Sequence, residues 1–386
     1  MPVPEPGFDI ESWRRRIPLL ASCIPLNNCS QGPQTDLTRA AAERYLESWN
    51  HSGMDWDAWM EEVRLAKVAF ANLIGALPDE IAVFSSVSEA TSAVASALDF
   101  TGRKRRVVVS EMEFPTTGHV WLAQQRRGAQ VSWVAMDDGV IDPASYEKAI
   151  DGDTALVAAC SGYYVNGFRQ ELGPIVTRAH AVNALVFTDA YQALGALPVN
   201  VRESGVDFLA SGNLKYLMGV PGIAFLYVRP GLAETMQPSV TGWFGRTNPF
   251  AFDAKQLDWC AGASRFDSGT PPVMNAYIAR AGMEMISSIG VENIRSWHEV
   301  LSTRLRDGGR ERGLTQHGTT DISRKTANTA FVVNDSHAIE QAMRARGVLP
   351  SARGPVIRLA PHFYNTINDV DTALDLLAEL TLGRRG

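Results

Sequence analysis

Two isolated charged residues in this sequence, Asp189 and Lys215, have side chains of the kinds that take part in chemical reactions. Asp189 is the only charged residue in the segment 181–201. Lys215 is likewise the only charge in the segment 208–228, where most of its neighbours are apolar. A charge among apolar residues costs free energy unless it is paired or used. We therefore expect this carboxylate and this amine to have functional roles.

Both charges stand where a predicted strand ends. The apolar run ALVFTD closes with Asp189, and the run VDFLAS comes shortly before Lys215. Ligands of open α/β sheets bind outside the carboxyl ends of the strands. The spacing therefore predicts that the two side chains face the same crevice.

A lysine paired with an acid suits pyridoxal phosphate, which needs a Schiff-base lysine and an acidic partner for its pyridine nitrogen. Asp189 would keep the ring nitrogen protonated, so that the ring accepts the electrons of a carbanion. Lys215 would hold the cofactor and move protons, because burial can lower the pKa of an amine. The alternative is a turn residue and a surface lysine. It would be preferred for either residue alone, but the two together favour the cofactor.

The segments DAYQ and SGNLKYLMGVPG resemble the core of the class V aminotransferase family, the fold-type I pyridoxal-phosphate enzymes. This family includes cysteine desulfurases, selenocysteine lyases, kynureninases and isopenicillin N epimerases. The resemblance implies that Asp189 pairs with the pyridine nitrogen and that Lys215 is the Schiff-base lysine. It further implies that Gln192 bonds the phenolic oxygen of the cofactor and that Ser211 contacts the phosphate. Leu214 stands where many relatives carry a phosphate-binding His.

Further cofactor contacts are expected from three loops. Ser86, Val87 and Ser88 open a predicted helix, whose first N–H groups form a phosphate site, although helix capping alone would explain the serines. Phe114 follows a predicted strand and precedes Pro, as in kynureninase-like members, so we expect it to stack on the pyridine ring rather than serve only as core. The resemblance also implies that Asn166 bonds near the ring oxygen.

The substrate is expected to meet Arg358, which lies in the middle of the apolar strand VIRLA. Arg binds a carboxylate through two parallel N–H bonds, and the alternative is a structural ion pair. The resemblance implies a clamp on the α-carboxylate. Arg353 is a candidate for a second carboxylate or tail contact. Asn28, in the turn NNCSQGP, is a further candidate, although turn chemistry explains it equally well.

Two later loops, around Trp243 and at Gly269–Thr270, are expected at the active site only through the resemblance. Relatives insert such segments into the active site of a neighbouring subunit, where the Gly-Thr pair meets the phosphate. The resemblance therefore implies a homodimer with shared active sites, and Trp243 becomes a candidate substrate contact. Without it, these segments are turns with one exposed aromatic residue.

The order of predicted elements indicates an α/β protein. Strands and helices alternate from residue 81 to 228, which predicts a mostly parallel central sheet with helices on both faces. The resemblance implies the fold-type I pyridoxal-phosphate-dependent transferase architecture, to which a small α+β domain is added. We expect a large cofactor-binding domain at 32–285, and a small domain formed by 1–31 and 286–386. Dinucleotide and P-loop fingerprints are missing from the sequence.

Composition excludes several classes of protein. The chain has 386 residues, 45% of them hydrophobic, and a net charge of −6, which gives no sign of nucleic-acid or membrane partners. The apolar run after Arg14–Arg16 is too short for a signal peptide. Four cysteines without a CxxC pair predict reduced thiols and a cytoplasmic location. Seven histidines without paired ligand spacing predict no metal site.

The reaction itself is less constrained than the cofactor. Cysteine desulfurases need a nucleophilic Cys before the carboxylate-binding Arg, and the segment GVLPSARGPVIR has none. We prefer a C–S β-lyase that acts on an S-substituted cysteine. Aminotransferase, amino-acid epimerase and decarboxylating activities remain alternatives, because one fold hosts many chemistries. A cofactor-free binding protein is a different class, and the presence of both Asp189 and Lys215 speaks against it.

Overall fold

A seven-stranded sheet is the centre of the computed structural model, which describes residues 5–383. The strands, in chain order, are β1 (Ile24–Pro25), β2 (Ile81–Phe84), β3 (Arg106–Ser110), β4 (Gln130–Val134), β5 (Thr154–Ala158), β6 (Leu185–Asp189), β7 (Phe208–Gly212), β8 (Ala224–Val228), β9 (Gln316–His317), β10 (Thr329–Val332), β11 (Val348–Leu349), β12 (Ser351–Arg353) and β13 (Val356–Leu359). The α-helices are α1 (Ile10–Arg14), α2 (Asp36–Ser52), α3 (Trp56–Ile74), α4 (Val87–Ser96), α5 (Pro115–Ala123), α6 (Pro143–Ala149), α7 (Leu172–Ala181), α8 (Val201–Ser204), α9 (Val273–Ile289), α10 (Val291–Glu311), α11 (Ser336–Ala345) and α12 (Ile367–Leu382).

The large sheet has the strand order β2-β8-β7-β6-β5-β3-β4. The five strands from β7 to β4 run parallel, whereas β8 is antiparallel to both of its neighbours. The mostly parallel sheet predicted from the sequence is therefore confirmed. The carboxyl ends of β3, β5, β6 and β7 lie side by side at one edge, which is where a ligand of such a sheet binds.

Helices cover both faces of this sheet. Val108, Val157 and Val186 belong to a buried cluster shared with α3, α7 and α9, while their chain neighbours belong to a second cluster with α4 and α5. Strands that are buried on both faces read as continuous apolar runs, which is why the sequence identified them. The resulting three layers hold the strand ends rigidly.

The C-terminal part forms a smaller unit around the antiparallel sheet β12-β13-β10-β9. Helices α10, α11 and α12 pack on it through a core that includes Trp297, Phe331 and Leu374. The N-terminal arm joins this unit, because β1 pairs in parallel with β11 and Leu26 lies in the same core. The division into 32–285 and a unit built from 1–31 and 286–386 stays a prediction.

Local capping signals fix several helix ends. Thr35 and Thr38 form a reciprocal capping box at the start of α2, and Gly75 ends α3 with a φ of 68°. Gly290 separates α9 from α10. No helix within residues 5–383 is long and apolar enough to cross a membrane.

Candidate active site

A cavity of about 310 Å³ opens at the carboxyl edge of the large sheet. It collects residues from the ends of β3, β5, β6 and β7, from the start of α4 and from the N-terminal arm. Its walls are formed by Ser30, Ser85, Ser86, Val87, Ser88, Phe114, Thr116, Cys160, Gly162, Tyr164, Asp189, Tyr191, Gln192, Leu214, Lys215, Pro221, Gly222 and Ile223. The two isolated charges of the sequence therefore meet in one crevice.

Asp189 ends β6 and is only 8% exposed. Its Oδ1 accepts a hydrogen bond from the backbone N–H of Tyr191 at 2.8 Å. Burial raises the pKa of Asp189, and both this hydrogen bond and the nearby charge of Lys215 oppose the shift. A carboxylate in this position suits a cationic ring nitrogen, whose charge would offset the desolvation.

Lys215 lies in the loop between β7 and β8, and its amine faces aromatic rings. Nζ is 4.1 Å from the ring centre of Tyr191 and 5.8 Å from that of Phe114. Within residues 5–383 it forms neither a hydrogen bond nor an ion pair. Burial lowers the pKa of Lys215 to about 8, although the charge of Asp189 raises it. Such an amine is available both for bond formation and for proton transfer.

The N-terminus of α4 forms a second wall of the cavity. Ser86 is the N-cap, and its hydroxyl accepts a hydrogen bond from the backbone N–H of Glu89 at 3.1 Å. The remaining N–H groups of a first helical turn have no intrahelical acceptor and attract anions. Ser88 donates to the hydroxyl of Thr116 at 3.3 Å, so that hydroxyl groups surround the helix end. This wall has the chemistry of a phosphate site.

Phe114 presents an aromatic ring to the cavity, and Gln192 presents a polar amide. Phe114 is 41% exposed and meets the ring of Tyr164 edge to face, with 5.2 Å between the ring centres. Gln192 is buried, and its Nε2 donates to the backbone oxygen of Cys29 at 2.9 Å. That bond ties the N-terminal arm to the cavity wall.

The donor set of this cavity fits pyridoxal phosphate. Asp189 would hold the pyridine nitrogen, the start of α4 would hold the phosphate, and Phe114 would cover the ring. Lys215 has a free amine, and the cavity is of the size of a flat heteroaromatic ring with its substituents.

Arg358 lies beside the cavity in β13 and is 1% exposed. Its guanidinium donates to the backbone oxygen of Tyr164 at 2.7 Å and to the hydroxyl of Ser30 at 3.0 Å. It also donates to the hydroxyl and the backbone oxygen of Ser351. In the described part of the chain no carboxylate pairs with it. Because Ser30 lines the cavity, the cation is next to the space where a substrate carboxylate would lie.

The side chains of three predicted site residues point away from the cavity. Asn166 donates to the backbone oxygen of Gly139 and accepts from the N–H of Phe168, both at 2.9 Å, so its amide is used within the loop. Ser211 is buried and donates to the backbone oxygen of Gly212. Asn28 contacts the hydroxyl of Tyr364 and the sulfur of Met218. The physical reason is the same in each case, because a partner outside the cavity walls already satisfies the polar group.

The remaining predicted residues lie on the outside of this protomer's cavity. Trp243 stacks on Trp56 and Phe252, with ring centres 6.0 and 5.9 Å apart. Gly269 and Thr270 are exposed and do not line the cavity. Arg353 is exposed, with its guanidinium carbon 6.0 Å from the ring centre of Tyr164.

Sequence reasoning missed several residues of the site. Tyr164 and Cys160 follow β5, and Tyr191 lies two residues after Asp189. Their nearness to strand ends was the only available signal. Glu113, behind the wall, was also missed. It is 6% exposed, and its two carboxyl oxygens have no hydrogen-bond partner among the described residues.

Comparison with known proteins assigns this arrangement to a family. The family model described as "Aminotransferase class-V" matches residues 35–371. "Uncharacterized aminotransferase YcbU" from Bacillus subtilis is 36% identical over 374 residues, which cover 96% of this chain and 98% of that protein.

Solved structures show the same fold. The apo cysteine desulfurase of Thermococcus onnurineus NA1 superposes with a TM-score of 0.88 at 23% identity, covering 99% of this chain and 100% of the other. The cystine C–S lyase C-DES, in complex with its product cysteine persulfide, gives a TM-score of 0.86 at 18% identity, covering 94% and 99%. A C-DES mutant with glycine covalently linked to its pyridoxal-phosphate cofactor gives 0.87.

Proposed function

This chain belongs to the class V aminotransferase family, and from that premise we propose that it cleaves the C–S bond of an S-substituted cysteine by β-elimination. As a member of the family it is a pyridoxal-phosphate-dependent enzyme that acts on amino acids. One observation carries the proposal: the apolar side chains of Leu214 and Ile223 line the cavity that holds Lys215, and they suit a thioether tail.

The cofactor would be held by the residues already described. Asp189 would keep the pyridine nitrogen protonated, the first turn of α4 would bind the phosphate, and Phe114 would pack on the ring. When bound, pyridoxal phosphate supplies an electron-accepting ring that stabilises negative charge at the substrate Cα. We also propose that Gln192 orients the ring, because its amide lies in the same wall.

Arg358 is proposed to fix the substrate by its α-carboxylate. The buried guanidinium has no carboxylate partner in the described residues, and a bound carboxylate would supply the missing negative charge. A carboxylate held in this way is stabilised as an anion, which disfavours its loss as carbon dioxide. This argues against the decarboxylating alternative.

Lys215 would then act as the general base. With a pKa of about 8, a useful fraction of the amine is neutral near neutral pH. Nζ takes the proton from Cα, and the electrons of that C–H bond remain at Cα. The Cβ–S bond then breaks, and sulfur leaves with the bonding electrons and gains a proton as a thiol. Addition of water to the remaining fragment gives pyruvate and ammonia.

Two alternative reactions find less support in the cavity. Epimerisation needs a second group that donates a proton to the opposite face of Cα, but the ring of Tyr191 lies against the Lys215 amine, with 4.1 Å between Nζ and the ring centre. A persulfide-forming desulfurase needs a nucleophilic thiol, and the pKa of the Cys160 thiol is raised well above its usual value by burial. The segment before Arg358 has no cysteine.

Aminotransferase activity is the second candidate. Aminotransfer needs the same base, which would return the proton to the cofactor instead of to Cα. The name of YcbU points to this activity. The apolar wall formed by Phe114, Leu214 and Ile223 favours a thioether tail, and the name of C-DES shows that this fold supports C–S cleavage. Arg353 is proposed to contact the end of that tail.

We propose a homodimer with shared active sites and a cytoplasmic location. Gly269 and Thr270 are exposed in the protomer, and an aromatic cluster of Trp56, Trp243, Phe250 and Phe252 lies on the surface, with Phe252 74% exposed. A second copy of the chain would cover this cluster. The four cysteines are free thiols, which supports the cytoplasmic location.

The decisive experiment is an absorbance time course of the purified holoenzyme with S-substituted cysteines. Pyruvate, ammonia and free thiol are assayed in parallel. Thiol released together with pyruvate in equal amounts supports β-elimination. Conversion of the cofactor to its amine form without thiol release would instead identify an aminotransferase and overturn the proposal.

A further inference from the structure

The amine of Lys215 lies on the face of an aromatic ring. Its Nζ is 4.1 Å from the ring centre of Tyr191, whereas the ring of Phe114 is 5.8 Å away. Within residues 5–383 the amine has no hydrogen bond that would fix its position. Tyr191 is therefore the closest group that can orient it.

The backbone fixes the position of the Tyr191 ring from two sides. The backbone N–H of Tyr191 donates to Oδ1 of Asp189 at 2.8 Å, which ties the main chain at Tyr191 to the acid of the site. On the other side, a Cβ added to Gly212 would overlap the phenolic carbon and oxygen of Tyr191. Gly212 has no positive φ that would require glycine. The close approach of the Tyr191 ring therefore explains why a residue without a Cβ occupies this position.

The charged groups around Lys215 act on its ammonium form in opposite directions, so an aromatic contact can still contribute to its stability. Asp189 attracts the ammonium form, while Arg358 and Arg353 repel it and burial disfavours it. Burial also raises the pKa of the Tyr191 phenol, which therefore stays neutral. The ring can then act on the amine only through its face, and an aromatic face attracts an ammonium group, more strongly when both are desolvated.

We propose that Tyr191 is a positioning residue for Lys215, and that its aromatic face holds the ammonium group once the lysine has taken a proton from the substrate. This rests on the proposed role of Lys215 as the base. The ring keeps the protonated amine beside Asp189 and out of bulk water. The same ring stabilises the protonated nitrogen of Lys215 when the lysine is bound to the cofactor.

The test compares Tyr191→Phe, which keeps the ring face, with Tyr191→Leu, which removes it. The absorbance of the holoenzyme is titrated with pH, because it changes when the Lys215 nitrogen loses its proton. For Tyr191→Leu we expect the proton dissociation constant to rise about three- to tenfold. Tyr191→Phe should titrate like the unchanged protein. An unchanged midpoint in Tyr191→Leu, or an equal shift in both variants, would overturn the proposal.

Gly212→Ala provides an independent variant, because it displaces the ring without removing it. Alone, it should shift the titration in the same direction as Tyr191→Leu. In the Tyr191→Leu background it should add little, because the ring that it displaces is gone. Fully additive shifts would contradict the proposal. The titration needs no substrate, so its result stands even if thioethers are not cleaved.

Discussion

Arg358 is buried and has no ionic partner among the described residues, a feature that it shares with Lys325 and Arg265. Glu62 pairs with Arg280 and Asp207 pairs with Arg229, so these charges are compensated within the fold. Arg358 is bound only by neutral oxygens within residues 5–383. A buried charge without a counter-charge is costly, and Arg358 also contacts Ser30 in the cavity wall, which supports the proposal that a ligand completes the site.

At Arg358 we therefore predict a loss of substrate binding without a loss of cofactor. Arg358→Gln should raise the amino-acid concentration for half-maximal absorbance change by about 10- to 100-fold, because charged hydrogen bonds are lost. The cofactor content of the purified variant should stay at the level of the unchanged protein. Arg358→Lys keeps the charge and serves as the matched control, with an intermediate effect. Equal loss of cofactor and substrate binding would remove the clamp role.

Glu113 gives a prediction about pH and stability. Burial, with a contribution from Asp189, raises its pKa to about 8, whereas its ordinary value is 4.5. The stability that the neutral acid provides is fully present below about pH 4.5. It is lost between pH 4.5 and 8, because only the unfolded state ionises there. The total change is a few kcal/mol, on the order of 1.4 kcal/mol for each pH unit.

Glu113→Gln should remove this loss, because the amide keeps the shape and stays neutral. We expect its Tm to match the unchanged protein near pH 5 and to exceed it at pH 8. Glu147→Gln, at an exposed position on α6, is the control and should show no such pH dependence. A constant Tm difference between Glu113→Gln and the unchanged protein across this range would contradict the assignment.

Helix α4 links the local fold to the binding of phosphate at the element scale. Ser86 caps the helix, so Ser86→Ala should cost about 1 kcal/mol of stability, and Ser86→Gly only a few tenths. If the backbone N–H groups bind the phosphate, cofactor affinity should fall in Ser86→Ala and stay nearly unchanged in Ser86→Gly. Calorimetric unfolding and cofactor titration measure both quantities. Equal loss of affinity in the two variants would show that the hydroxyl itself is the ligand.

The elements that the sequence predicted well are those whose apolar pattern follows from burial. The runs that became β6 and β13 are buried along nearly all of their length. The two-residue strands β9 and β11 have no such pattern, because their pairing depends on distant segments.

The direction of loop side chains could not be predicted from the sequence either. Asn166 follows a strand, as the other site residues do, but a backbone turn directs its amide to Gly139. Gly167, with a φ of 77°, belongs to that turn. Tyr164 lines the cavity instead, although nothing in its type distinguished it from a core residue.

At the scale of the whole molecule, we predict that a second copy of the chain completes the proposed site. Gly269 and Thr270 are exposed, and a Cβ on Gly269 would meet no atom within 4 Å. Gly269→Asp should therefore leave the protomer folded. If the loop reaches the phosphate site of a neighbouring subunit, the added carboxylate would repel the phosphate and reduce cofactor affinity there. Retention of full activity by Gly269→Asp would contradict the shared site.

Mixing two inactive variants gives a sharper form of this prediction. Lys215→Ala lacks the base, and Gly269→Asp lacks the loop contact, so each homodimer should be inactive. A mixed dimer would hold one cavity with Lys215 from one subunit and Gly269 from its partner. Random exchange makes half of the dimers mixed, so we expect about a quarter of the unchanged activity to return. Mixing under exchanging conditions could restore no activity even though mass measurement shows that mixed dimers form. The loop would then act within its own subunit, or not at all.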